Sequence, residues 1–378
     1  MPVKDEVVAK PDSPGAPASA PIGVPLDAHA PAPVQRNGRI WSHHDRRPAQ
    51  NGYSYAALDL GTNNCRLLVA EPAPYGFRVM DAFSRIVRLG EGLGHANRLS
   101  EDAIERTVEA LRICKGKMEH RNATRARLVA TEACRLAENG PAFVERVRDE
   151  LGMELEVVDR RTEAYLAVTG CAALADPRAH SVVIFDIGGG STEIAWLDGK
   201  GASPLADPTK RIRAWDSLPV GVVTLAERHG GVDVSRAGFE AMVEEVTDLL
   251  APFELAAGRA AYLPEFHLLG TSGTVTTVGG IHLKLPRYDR RRVDGMWMRD
   301  EHVTAVLDDL LDTPYEQRAQ NPCIGRDRAD LVLAGCAILE AIRRAFPSDR
   351  LRIADRGLRE GILMNLMRED GVWRRGRG

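Results

Sequence analysis

The rhythm of apolar and polar positions changes about fifty residues into the chain, and that change sets the first boundary. Before it no strand or helix period persists, and nine of the 22 prolines fall there among Ala, Ser and Gly. Proline removes backbone donors, and the segment has little apolar surface to offset the entropy of ordering. Residues 1–52 therefore read as a disordered Pro/Ala-rich tail. From Tyr53 onward short apolar runs alternate with amphipathic stretches. Tyr55–Leu60 is a strand carrying Asp59 near its end, 65–70 is a second strand after a tight polar turn, and 77–89 supplies a third. Ser100 caps a helix with Glu101 and Asp102 in its first turn and Ile104, Val108, Leu111 and Met118 along one face. Strands follow at 127–130 and 155–158, then a helix over 163–173.

The second half opens the same way. The run SVVIF (181–185) leads into Asp186, Ile187 and a glycine-rich turn, then a strand at 193–197. A helix around 239–250, a strand at 265–269 and a Gly/Thr-rich turn at 270–277 come next. The stretch 329–346 is apolar nearly all round at its start, as a buried helix is. A strand at 350–354 and a helix at 358–367 close the pattern.

Residues 58–64 and 185–191 share one plan: strand, Asp, an apolar residue, Gly, a small polar turn, strand. One such turn is a weak signal, because similar turns occur in many hairpins. Two, each opening a unit of strands followed by helices, argue for a duplicated α/β domain. The expected division is 53–179 and 180–378, with the last helix crossing back onto the first domain. If the two units face each other, the hairpin turns converge on one interdomain cleft.

Composition narrows the picture. The 378 residues carry 50 Lys+Arg and 53 Asp+Glu, a formal net charge of −3, with 44% apolar and 27% charged residues. These are values of a globular chain of about two domains. No run approaches the ~18 apolar residues of a membrane span. Near-neutral charge removes the usual electrostatic case for nucleic acid or an anionic membrane, while leaving room for a locally positive cleft. The six cysteines form no CxxC pair, so they read as buried, reduced thiols of a cytoplasmic protein; Cys65 and Cys134 are taken as packing residues. The N-terminus lacks the pattern of a secretory signal. The ten scattered histidines show no HExxH and are poor metal ligands.

The repeated turns have a chemical use. Small residues let backbone N–H groups approach an anion closely, and Thr62, Ser191 and Thr192 add hydroxyl donors. An Asp at each strand end can hold a cation or its water shell. The third turn, 270–277, follows a strand and precedes a helix, where amides and the helix dipole favour phosphate. Three phosphate-type turns point to a substrate with several phosphates. Arg287, Arg290, Arg291 and Arg292 cluster in a loop and read as a solvated charge run, slightly preferred over a polyanion funnel.

These residues resemble the exopolyphosphatase / guanosine pentaphosphate phosphohydrolase family of the actin-like phosphotransferase superfamily. The likeness is carried by DLGTNNCR (59–66), RLGEGL (88–93), ATEACRLAEN (130–139), DIGGGSTE (186–193), PVGVVTL (219–225), GTSGTVTT (270–277) and DRGLREGIL (355–363). They run in family order across about residues 53–367. The resemblance implies an α/β fold of two ribonuclease-H-like (actin-like ATPase) domains around a cleft. It also implies Mg²⁺-dependent hydrolysis of a terminal phosphoanhydride, with polyphosphate as first substrate and guanosine pentaphosphate (pppGpp) as second. Glu163 inherits the role of general base. Its segment, DRRTEA, departs from the family's SGxEEA. Thr162 is expected to cap the helix, and the helix N-terminus to lower the Glu163 pKa.

By the same resemblance Asp186 and Glu193 are Mg²⁺ ligands or water-positioning carboxylates. Gly188, Gly189, Gly190, Ser191 and Thr192 cradle phosphate. Asp59, Gly61, Thr62, Asn63 and Asn64 line the opposing loop, Arg66 and Arg88 are its cations, and Gly273 and Thr274 belong to the third turn. From the strand pattern alone, Glu193 could equally face solvent. The family commonly forms homodimers. The chain matches a short form without the C-terminal HD-type domain found in some members, so limited processivity on long chains is expected. Two rivals are an ATP-dependent kinase of the same superfamily, which needs an adenosine pocket, and a non-catalytic alarmone-binding regulator.

Overall fold

The structure, a computed structural model, describes residues 53–74, 76–199 and 206–373. The tail expected over 1–52 lies outside the described residues. The first sheet holds β1 (Tyr55–Leu60), β2 (Asn64–Ala73), β3 (Gly76–Ile86), β4 (Arg125–Ala130) and β5 (Glu156–Val157) in the order β3-β2-β1-β4-β5. The second holds β6 (Ser181–Ile187), β7 (Thr192–Asp198), β8 (Ile212–Leu218), β9 (His267–Thr271), β10 (Trp297–Arg299) and β11 (Arg350–Ala354), ordered β10-β11-β9-β6-β7-β8. Without its edge strand β10, the second sheet repeats the first. An antiparallel meander of three strands is followed by two strands parallel to its first member. The duplication suggested by two short turns thus extends to whole sheets, and the fold is a pair of actin-like α/β lobes.

The central strands β1 and β6 are apolar and buried almost throughout, as expected of strands covered on both faces. What covers them is less expected. The helix Leu358–Glu369 lays Ile362, Leu363, Leu366 and Met367 against Tyr55, Ala57, Leu68 and Ala70 of the first sheet. The helix Arg160–Cys171 lays Val168 and Cys171 against Val182, Ile184 and Ala195 of the second. Each sheet is covered by a helix from the other half of the chain, whereas the sequence suggested crossing only for the last helix. The two helices meet backbone to backbone. A Cβ on Gly170 would lie 1.9 Å from the Gly357 carbonyl oxygen, and one on Gly361 would lie 2.0 Å from that of Leu166.

Local chemistry corrects several boundaries. The helix expected from residue 163 starts at Arg160, and its cap is Asp159, whose Oδ1 accepts the Thr162 N–H at 2.7 Å. Thr162 is not the cap. The turn expected over 270–277 is short, because the helix Gly273–His282 already begins within it. All six cysteines are buried and free. Among the described residues no helix is long and apolar enough to cross a membrane.

Candidate active site

Both hairpins place their chemistry by register. In β1–β2, Asp59 pairs across with Arg66; at the matching place in β6–β7, Asp186 pairs with Glu193. The duplicated scaffold therefore presents a cation on one lobe where it presents an acid on the other. The intervening loops meet face to face. A Cβ on Gly189 would lie 2.9 Å from Thr62 Cβ, and one on Gly190 would lie 2.8 Å from Thr62 Oγ1, so only glycine admits this approach. The hairpins converge on one cleft.

The cleft is lined by Asp59, Gly61, Thr62, Asn63, Asn64 and Arg66 from the first lobe, with Glu163. Asp186, Gly188, Gly189, Gly190, Ser191, Glu193, Gly273 and Thr274 come from the second. Two sequence-predicted residues lie elsewhere. Thr192 is fully buried and its hydroxyl donates to the Val220 carbonyl at 2.7 Å, so it braces the loop from behind. Arg88 does not line the cleft; its guanidinium donates to Asp330 at 3.0 Å and to the Asp327 carbonyl at 3.1 Å, joining the two lobes. Ser272 and Thr277 also line the cleft, from the turn 270–277 that the sequence marked without singling them out; Thr131 and Arg328 were missed as site residues, together with the apolar residues Val222, Ile324, Leu331 and Val332. Arg328 follows a left-handed glycine, Gly325, whose carbonyl accepts the Arg328 N–H at 3.2 Å, but that turn does not follow a strand as the phosphate-type turns do. What marks Arg328 is the shape of the fold, which brings it to the start of the Gly273–His282 helix.

Hydrogen bonding gives the loops their polarity. In the first, the Thr62 carbonyl accepts from Gly90 N–H at 2.9 Å and the Asn63 carbonyl from Val87 N–H at 2.9 Å. In the second, the Gly188 and Gly189 carbonyls accept from Val222 and Val223 at 3.0 and 2.8 Å. The amides of Thr62, Asn63, Gly189 and Gly190 have no acceptor among the described residues. Acceptors are consumed and donors kept, which is the arrangement that binds an anion. The third loop adds the first amides of the Gly273–His282 helix. Its cap, Ser272, is held at φ 140 and ψ 176, a region that side chains rarely occupy. Such strain, costing on the order of 1–3 kcal/mol, persists where the surroundings fix the backbone.

Carboxylates supply the opposing charge. Burial pushes the Asp186 carboxyl up to about 6 against the opposing pull of Arg66, and Asp59 is raised by the same cause. Glu193, 4% exposed, is raised well above its usual range by burial and then by Glu163 and Asp186; Ser217 donates to its Oε1 at 2.9 Å. It does not face solvent. Glu163 is 7% exposed, and burial drives it up to about 7 although Arg135 donates to its Oε2 at 3.0 Å. The expected lowering is overturned, because loss of hydration, with the charges of Asp59 and Glu132 added to it, outweighs the pull of the Arg135 guanidinium. Arg135 is shared: it also pairs with buried Glu132, which Arg160 holds from the other side at 2.8 Å.

Two α/β lobes, with three tight loops and a set of buried carboxylates lining the cleft between them, define a protein of actin-like fold. The chain belongs to the Ppx/GppA phosphatase family, whose model matches residues 68–370. It is similar to the solved Aquifex aeolicus member of that family, at 28% identity and TM-score 0.68 over 84% of this chain and 98% of that one. An exopolyphosphatase-like protein of known structure gives 28% identity and TM-score 0.74, with the same coverage. An exopolyphosphatase from Cytophaga hutchinsonii, 21% identical with TM-score 0.74 over 84% of this chain and 98% of its own, supports the fold. A curated relative from Photobacterium profundum, a guanosine-5'-triphosphate,3'-diphosphate pyrophosphatase, is 26% identical over 328 residues. That match covers 83% of this chain but 59% of the relative, so the chain spans about three-fifths of its length.

Proposed function

We propose that this protein hydrolyses the terminal phosphoanhydride of inorganic polyphosphate, releasing orthophosphate. The observation that carries the reading is the loop polarity: amides without acceptors from two facing hairpins and one helix start, all lining a cleft that also holds buried carboxylates. One anion loop binds a phosphate; three around one cleft suit consecutive phosphates. In this reading the amides of Thr62, Asn63, Gly189 and Gly190 hold the reacting end. Arg66 and Arg328 balance charge as the bridging oxygen leaves. Glu163 accepts the proton of the attacking water. A carboxylate pushed up to about 7 suits a base working near neutrality. Arg135 fixes the angle of Glu163 and keeps part of it ionised.

A divalent cation fits the donors present. Asp59, Asp186 and Glu193 offer carboxylate oxygens at one cleft, and the buried amide oxygens Asn63 Oδ1 and Asn64 Oδ1 lack protein donors. These are hard oxygen ligands. Among the described residues no three carboxylates, histidines or cysteines come together as a metal site, so in this reading the protein supplies two carboxylates, and water and phosphate complete the ion's ligands. Bound there, Mg²⁺ would neutralise phosphate charge; Asp186 and Glu193 would hold it.

The second reading, hydrolysis of pppGpp, is favoured by the name of the Photobacterium relative and by one feature of the cleft. Ile324, Leu331 and Val332 make an apolar wall beside Thr277, where a nucleoside could lie. Phosphate release from polyphosphate and from pppGpp, each with and without Mg²⁺, tests both. Release from polyphosphate that needs Mg²⁺ and no acceptor supports the proposal; release from neither substrate overturns both readings and returns the chain to a binding role.

A further inference from the structure

Cations on this surface are usually matched. Arg78, Arg236 and Arg344, for example, each lie within 2.8 Å of a carboxylate oxygen. Segment 284–292 departs from that pattern. Lys284, Arg287, Arg291 and Arg292 are exposed, and among the described residues none has a carboxylate within 4.0 Å. The one acid inside the segment, Asp289, is occupied in capping, its Oδ1 accepting the Arg291 N–H at 2.9 Å. Four like charges within nine residues repel one another, and the fold supplies no acid to quiet them.

Two inward anchors hold the segment in place. Tyr288 donates to Asp355 Oδ2 at 2.7 Å, and Arg290 pairs with Glu360 at 2.9 Å. The segment adjoins the cleft. Thr277, on the cleft wall, donates to the Cys323 carbonyl at 3.2 Å; Cys323 in turn reaches the Leu285 carbonyl through Sγ at 3.8 Å and precedes Ile324, also on the wall. Within the cleft Arg66 and Arg328 likewise lack an ion pair within 4.0 Å among the described residues. Unmatched cations therefore continue from the phosphate loops out along the flank of the second lobe. Their field fades over about 8–10 Å in physiological salt, so an occupant has to lie against the segment.

We infer that segment 284–292 is a docking site for the distal phosphates of an extended polyphosphate whose end is held at the loops; this rests on the polyphosphate reading above. It reverses the slight preference for a solvated charge run over a polyanion funnel. A linear chain with a charge on every phosphate matches a row of cations, whereas a short one ends within the cleft. Single-stranded nucleic acid is the poorer match, because the segment's one aromatic ring, Tyr288, is turned inward to Asp355 and offers no stacking platform.

The test is the full chain with Arg287→Gln, Arg291→Gln and Arg292→Gln combined, beside a control with Arg78→Gln, Arg98→Gln and Arg148→Gln. Equilibrium binding of long-chain polyphosphate, tripolyphosphate and an oligonucleotide is measured at low and physiological salt, with phosphate release in parallel. The expected result is a loss of about tenfold in long-chain binding with a flatter salt dependence. Tripolyphosphate binding and turnover stay unchanged, and the control variant keeps its long-chain affinity. Equal loss for both chain lengths, equal loss in the control, no loss, or a loss confined to the oligonucleotide would overturn the inference. Patch-dependent binding of long chains without any phosphate release would overturn the hydrolytic reading and leave the docking site standing.

Discussion

Glu163 carries the sharpest consequences at the scale of single residues. Burial holds its carboxyl at about 7, so its conjugate base forms as pH rises through that value. A base must be ionised to accept a proton, so kcat/KM is expected to climb with pH through about 7 on its acid limb. Glu163→Gln, which keeps the shape and can still accept from Arg135, should lower kcat about 10²–10⁴-fold. A pH–rate profile with each enzyme checks both statements. Stability moves the other way. The folded pKa lies above the ordinary value of 4.5, so the native state binds this proton more tightly than the unfolded chain does. The resulting stabilisation is complete below the unfolded pKa and is lost as pH rises through about 7. Glu163→Gln should therefore raise the melting temperature at about pH 8 and change it little at about pH 4. The gain is on the order of 3 kcal/mol, the shift from 4.5 to about 7 being what remains after the pull of Arg135. A melting temperature that falls on the alkaline side would mean that the ion pair outweighs the burial.

Helices and hairpins show which parts of the molecule a sequence discloses. The two acid-tipped hairpins were legible because strand, turn and strand are contiguous, so residues 59–66 and 186–193 carry their own geometry. The crossing of the Arg160–Cys171 helix was not. Its partner lies nearly two hundred residues away, and its signal is only a pair of glycines, Gly170 and Gly361, that look like ordinary weak points in a helix. Packing gives those glycines meaning. Gly361→Ala places a Cβ 2.0 Å from the Leu166 carbonyl oxygen, an atom of fixed backbone, and forces the helices apart. The expected cost is about 1–3 kcal/mol or more. Gly116→Ala is the matched comparison: it lies inside the helix Glu101–His120 with nothing within 4 Å of the added Cβ. There the substitution should stabilise by about 0.5–1 kcal/mol. Denaturant unfolding of the two variants should give shifts of opposite sign. Glu163 lies one turn before Leu166, so Gly361→Ala should also depress activity beyond what lost stability explains.

Across the whole molecule, the lobes are joined at the cleft margin as well as by the crossing helices. Arg88 of the first lobe pairs with Asp330 of the second, and Glu227 of the second accepts the Gly92 N–H at 2.8 Å. Motif position assigned Arg88 to the substrate, because a family pattern records which residue recurs but not which way its side chain turns. Its backbone is left-handed, φ 48, and that turn carries the side chain across to Asp330. The two roles make opposite demands. A phosphate-binding Arg88 would be released by Asp330→Ala, so that change would strengthen substrate binding while Arg88→Ala weakened it. A latch gives the same loss from either side. Arg88→Ala, Asp330→Ala and the double variant should lower kcat/KM to similar extents, with a coupling on the order of 1 kcal/mol because each single change already removes the pair. The contact is partly exposed, at 31% and 26% for the two side chains, so salt should weaken it and shrink the coupling. Additive losses in the cycle, or a gain from Asp330→Ala, would return Arg88 to the substrate and leave Glu227 with Gly92 as the contact holding this edge of the cleft closed.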